Sequence, residues 1–148
     1  MKKIYLDVCC LNRPFDDQRQ DRIRLEAEAV ERIVERLHVR EWEWIESDVI
    51  HLEISKTTDP ERKRRLALLA SSAHRTVPVG DVEEARARDL VTLGFSNLDA
   101  LHLACAESGR AELFLTTDDR LLRLASRHAG ELRVQVENPL TWLQKGNG

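Results

Sequence analysis

Apolar residues recur along this chain in two rhythms. Short continuous runs, Ile4-Tyr5-Leu6, Trp42 to Ile45, Thr76 to Val79, Leu113 to Thr116 and Arg133 to Val136, predict five strands. Between them apolar positions return at helical spacing. Ile23, Ala27, Val30, Val34 and Leu37 form one stripe, predicting a helix over about 21–37. Ser47 or Asp48 is placed to cap a helix that carries Glu53, and Asp59 with Pro60 starts another. Asp81 opens a helix that Gly94 stops, and Ser96 or Asn97 caps an apolar helix carrying Asp99 and ending near Gly109. Asp118 opens the next helix, and Asn138-Pro139 a short last one bearing Trp142. Cys9 to Leu11 lead into a stretch, Asn12 to Asp17, where Pro14 and its neighbouring acids argue against regular structure.

Strands that alternate with helices imply right-handed crossovers and a sheet covered on both faces. The expectation is a three-layer α/β/α fold, its central sheet mostly parallel and of about five strands. Pro78 suits an edge strand. With 148 residues, 42% of them hydrophobic, the chain suits one compact domain, 1–148.

Composition narrows the chemistry. Net charge is −3, so a nucleic-acid partner needs a local basic patch or a cation that offsets the acids. The run Arg62-Lys63-Arg64-Arg65 reads as a solvated helix face rather than such a patch. Three cysteines, with no CxxC pair, exclude a disulfide framework and a structural zinc site, and suit a reducing cytoplasm. Cys9 and Cys105 read as packing, and Trp42, Trp44 and Trp142 as core or interface. No segment reads as a signal peptide or membrane span.

Ligand sites of parallel sheets form at the carboxyl ends of strands, near the point where strand order reverses. Asp7 and Asp118 both fall at such ends. Asp99 lies in the first turn of an apolar helix, and Glu53 is flanked by Leu52 and Ile54 within another. Each alone is as well explained as a cap, a dipole partner or a solvated acid; Asp119 is as good a cap as Asp118. Gathered together, carboxylates repel and raise one another's pKa, and a hard divalent cation relieves that cost. Such a centre suits phosphoryl chemistry. His102, three residues after Asp99, reads as a packing or hydrogen-bonding neighbour rather than a ligand.

Ile4-Tyr5-Leu6-Asp7, the Glu53 helix, Asp99-Ala100-Leu101-His102-Leu103-Ala104-Cys105-Ala106 and Leu115-Thr116-Thr117-Asp118 together resemble the PIN domain, in order and spacing across nearly the whole chain. The resemblance implies a Mg²⁺- or Mn²⁺-dependent endoribonuclease acting on single-stranded RNA, as in VapC-type toxins, with a cognate antitoxin and a homodimer as partners. It assigns the four family acids to Asp7, Glu53, Asp99 and Asp118, with Asp7, Asp99 and Asp118 holding the metal. Thr116 falls on the family's hydroxyl beside the last acid and would orient a ligand or water; Asn12 lies in the loop that would shape access. Cys9 stands where the family often carries a hydroxyl or amide, which argues against a polar contact there. Two other acid-rich folds fit less well. A phosphotransfer receiver wants paired acids after the first strand, and a dehalogenase-type phosphatase wants Asp-x-Asp, where this chain has Asp7-Val8-Cys9. The remaining alternative is a catalytically silent PIN fold serving as a binding or assembly module.

Overall fold

The computed structural model describes residues 1–147. Five strands form one sheet: β1 (Lys3–Leu6), β2 (Glu43–Ser47), β3 (Arg75–Val77), β4 (Leu113–Leu115) and β5 (Gln135–Glu137). Their order is β3-β2-β1-β4-β5, and every pairing is parallel. The chain builds outward from β1 to β2 and β3, then returns to add β4 and β5 on the other side. The order therefore reverses between β1 and β4, and Asp7 N–H donates to Leu115 O at 3.0 Å across that seam.

In-register partners share a face. Tyr5 aligns with Ile45 and Phe114, and this face meets α6 (Asn97–Ser108) through Tyr5 and His102, whose ring centroids are 5.8 Å apart. Ile4, Trp44 and Leu113 point to the opposite face. The buried stripe of α2 (Asp21–His38), with α8 (Pro139–Trp142), belongs to the same continuous core. Trp42 and Trp142 meet edge to face at 5.1 Å, and all three tryptophans are buried. A sheet covered on both sides can be built from near-continuous apolar runs, which is why these strands were readable.

Some boundaries differ from the sequence reading. β2 begins one residue later and runs on to Ser47, because its ladder with β3 pairs Ser47 with Val77. Ser47 holds the cap position of α3 (Asp48–Ser55) but makes no capping bond, since its hydroxyl meets the Tyr5 phenol at 2.6 Å. The segment after β1 is regular after all: Asp7 caps a short helix, α1 (Val8–Asn12), and Arg13–Phe15 form a 3₁₀ turn. Pro14 sits in the first positions of that turn, where a missing N–H costs nothing. Helix α4 (Pro60–Ala70) starts at the Asp59 cap as expected. Helix α5 (Asp81–Thr92) is instead capped at Gly80, whose N–H donates to Glu83 Oε1 at 2.8 Å. Helix α7 (Asp119–Arg127) is capped by Asp118. Arg62 is not solvated: its guanidinium bonds Asn12 Oδ1, Asp16 Oδ1 and Phe15 O, tying α4 to the segment after α1.

Candidate metal centre

Each expected acid arrives by a different route at the sheet's switch point. Asp7 leaves β1 buried. Its Oδ1 accepts from Val8 N–H at 2.8 Å, and its Oδ2 from the Thr116 hydroxyl at 2.8 Å. Thr116 in turn accepts from Asp118 N–H at 3.1 Å, so the hydroxyl ties the two carboxyl-end acids together. Asp118 spends Oδ1 on the first turn of α7, accepting from Arg120 and Leu121 N–H. Its neighbour Asp119 turns away: both its oxygens take 2.7 Å bonds from the Arg22 guanidinium. Asp99 enters from the first turn of α6, whose N–H it donates to Ser96 Oγ at 3.1 Å.

Glu53 reaches the cluster from α3 and bonds His102 Nε2. The ring's other nitrogen, Nδ1, lies 2.7 Å from the Tyr5 phenol. A carboxylate only accepts, so in the neutral ring Nε2–H donates to Glu53 and Nδ1 accepts from Tyr5 O–H. Burial pushes the Tyr5 phenol well up, which keeps that donor protonated. Both ring nitrogens of His102 are thus hydrogen-bonded.

One ligand atom each from Asp7, Glu53 and His102 lies within 4.8 Å of the others, a compact donor group of the kind that holds a metal ion. Asp99 and Asp118 stand outside that group but inside its field. Burial raises the Asp7 carboxyl, with Glu53 adding to the shift while His102 and the Thr116 bond oppose it. Burial likewise raises Asp99, and the charges of Asp7 and Asp118 push it further. Acids that burial and one another's charge hold back from ionising are what a hard divalent cation, with oxygen ligands, would relieve. The carboxylates therefore fit a divalent metal ion, with His102 able to join them only by giving up its bond to Glu53.

Three features were not foreseen. Cys9 does make polar contacts: Sγ lies 3.4 Å from Asp7 Oδ2 and 3.2 Å from Thr116 Oγ1, and it accepts from Thr117 N–H at 3.3 Å. Sulfur here replaces the family's usual hydroxyl without losing the contact. Asn12 is fully engaged, donating to Val8 O and accepting from Arg62. Glu26, which spacing alone places on the edge of the α2 stripe, is buried and held by Arg13, Arg22 and Asn138. Arg22 thereby links this buried acid to Asp119 and leaves Asp118 to face the cluster.

Among the described residues no helix is long and apolar enough to cross a membrane. The family model of the PIN domain matches residues 4–127. No curated protein matches the chain. Solved structures similar in fold include two VapBC structures. One is VapBC2 from Rickettsia felis, bound to a DNA fragment from its promoter, at 15% identity and a TM-score of 0.60, covering 92% of this chain and 98% of that one. The other is VapBC-1 from nontypeable Haemophilus influenzae, at 12% identity and a TM-score of 0.60, covering 93% and 98%.

Proposed function

Because the chain belongs to the PIN domain family, we propose that it is a metal-dependent endoribonuclease that cuts single-stranded RNA and serves as the toxin of a type II toxin–antitoxin pair. The observation that carries this reading is the gathering of Asp7, Glu53, Asp99 and Asp118 at the reversal point of the sheet. There burial and mutual repulsion raise Asp7 and Asp99. Asp7 and Asp118 also cap α1 and α7, but the repulsion among the gathered acids is a cost that a bound cation would relieve.

Asp7, Asp99 and Asp118 would hold Mg²⁺ or Mn²⁺, directly or through water, a reading supported by the charges that Asp7 and Asp118 exert on Asp99, and Glu53, beside Asp7, would complete the acid group. Bound there, the ion would supply an activated water and neutralise charge on the phosphate. The chain's own part is positional. Thr116 fixes the Asp7 carboxylate and the start of α7 with one hydroxyl. His102 fixes Glu53, and Arg22 keeps Asp119 out of the way. Asn12 acts by holding its loop, since both ends of its amide are spent. Water attacks phosphorus, the bond to the 3′-oxygen breaks, and the products carry a 5′-phosphate and a 3′-hydroxyl. No covalent nucleophile is needed. The likeness in fold to two VapBC structures supports a cognate antitoxin as partner.

The test is a panel of structured and unstructured RNAs, incubated with wild type, Asp7→Asn and Asp118→Asn, in Mg²⁺ or Mn²⁺ and without antitoxin. Internal cuts in unpaired segments are expected from wild type alone, and EDTA should abolish them. RNAs left equally intact by all three proteins would favour the binding module. Cleavage that survives both substitutions would place the chemistry on other residues.

A further inference from the structure

Most arginines near the acid cluster are already paired. Arg13 and Arg22 bond Glu26, Arg62 bonds Asp16, and Arg64 and Arg65 bond Glu61. The ridge of α7 is different. Arg120, Arg123 and Arg127 follow one another at three- and four-residue spacing, so they lie along one side of the helix. All three are exposed, and among the described residues none of their side chains makes a hydrogen bond or ion pair. They line a shallow pocket of about 310 Å³ whose remaining wall is Leu124 and Gly94. Gly94, with φ +111°, is the turn that ends α5 and leads to the Ser96 cap of Asp99. A Cβ on it would sit 3.6 Å from Leu124 Cδ1.

The pocket is therefore bounded by the segment entering the Asp99 helix and by the helix that Asp118 caps. Of the two acids at the start of α7, Asp118 caps the helix and Asp119 pairs with Arg22, its charge also felt by Arg123. Over seven residues the ridge spans about 10 Å, the scale of a short run of backbone phosphates. Three like charges at neighbouring helical positions repel. The charge of Asp119 acts on Arg123 from a distance, but among the described residues no acid pairs with them. An anionic strand would.

We propose that the Arg120–Arg123–Arg127 ridge binds the phosphodiester backbone of the substrate RNA beside the acid cluster. This rests on the ribonuclease reading above and adds where the strand runs. It also explains how a chain of net charge −3 approaches a polyanion: the cation offsets the acids at the cut, and the ridge attracts the flank.

The experiment compares the intact arginines with Arg120→Gln/Arg123→Gln/Arg127→Gln and with the triple lysine variant. Binding of a labelled unstructured RNA is followed by anisotropy across a salt series, all three proteins carrying Asp99→Asn so that the strand stays whole. The glutamine variant should bind about tenfold more weakly at moderate salt, with a salt slope lower by about 2 for three lost phosphate contacts. The lysine variant should restore most of both. Without Asp99→Asn, the glutamine variant should show a raised KM and unchanged kcat on the unstructured RNA. It should behave as wild type on a dinucleotide phosphodiester too short to reach the ridge. Unchanged affinity and slope in the glutamine variant overturn the proposal. So does an equal loss on the dinucleotide, or RNA binding that is unaffected while binding of an acidic peptide is lost. Wild type that binds RNA through the ridge yet never cuts it would sink the ribonuclease reading and leave the ridge standing.

Discussion

Asp99 carries the conflict in this site most plainly. Its carboxyl is raised by burial and then by the charges of Asp7 and Asp118. Between the ordinary aspartate value, about 3.9, and its raised one, the folded chain keeps a proton that the unfolded chain has released. Stability is therefore lost as pH climbs through that window, and the deficit persists above it. Asp99→Asn removes the penalty and keeps the backbone bond to Ser96, while its amide oxygen can still accept from the Ser96 hydroxyl that the carboxylate uses. In EDTA at neutral pH the variant should melt higher than wild type, and the gap should close as pH falls below about 4. Added Mn²⁺ should raise wild type strongly and the variant little, because ligand binding to the native state alone stabilises it. Melting curves over this pH range, with and without Mn²⁺, check both halves; a variant less stable than wild type at neutral pH would mean that Asp99 is a structural acid. Asp7 is a poorer choice for this measurement, since Asn there also disturbs the Thr116 bond.

At the scale of elements, the close fit of α6 to the sheet sets where Asp99 stands. The C-terminal end of α6 comes so near the sheet that a Cβ on Gly109 would lie 2.7 Å from Ile45 Cγ2 and 2.9 Å from Val77 Cγ2. Gly109→Ala should cost about 1–3 kcal/mol, read from urea unfolding midpoints, because two strands must give way. A neutral result would mean that α6 can slide along the sheet. The strands and α6 were readable because apolar runs are local signals, and Asp7 and Asp118 because they fall where strands end; Glu53 and Asp99, inside helices, were assigned to the same site only by the family resemblance. Strand ends were less so: β2 reaches Ser47 because of its register with β3, which no local pattern encodes. Side-chain pairing was illegible for the same reason. Nothing in spacing distinguishes Arg62, bonded to the segment after α1, from Arg123, whose guanidinium makes no hydrogen bond or ion pair among the described residues. Cys9 was misread because its contact with Thr116 joins positions far apart in the chain. Glu26 carries no local signal of its burial, because Arg13 and Asn138, which hold it, come from other parts of the chain.

For the whole molecule, fold and site follow from one feature, the reversal of strand order between β1 and β4. It brings Asp7 beside the turn from Thr116 to Asp118, and the helices α3 and α6 add Glu53 and Asp99. The central claim is that this point is a metal-dependent cutting site and not a relic on a binding module. Losing a metal-holding carboxylate should then harm chemistry far more than binding, because the cation acts chiefly on the transition state. The most direct measurement is single-turnover cleavage of one end-labelled unstructured RNA in Mn²⁺ by wild type and Asp99→Asn, with RNA affinity measured in parallel. The account predicts a single internal cut whose rate falls by at least about a hundredfold in Asp99→Asn, while affinity changes only a few-fold. Equal rates in the two proteins, or a loss of affinity as large as the loss of rate, would contradict it.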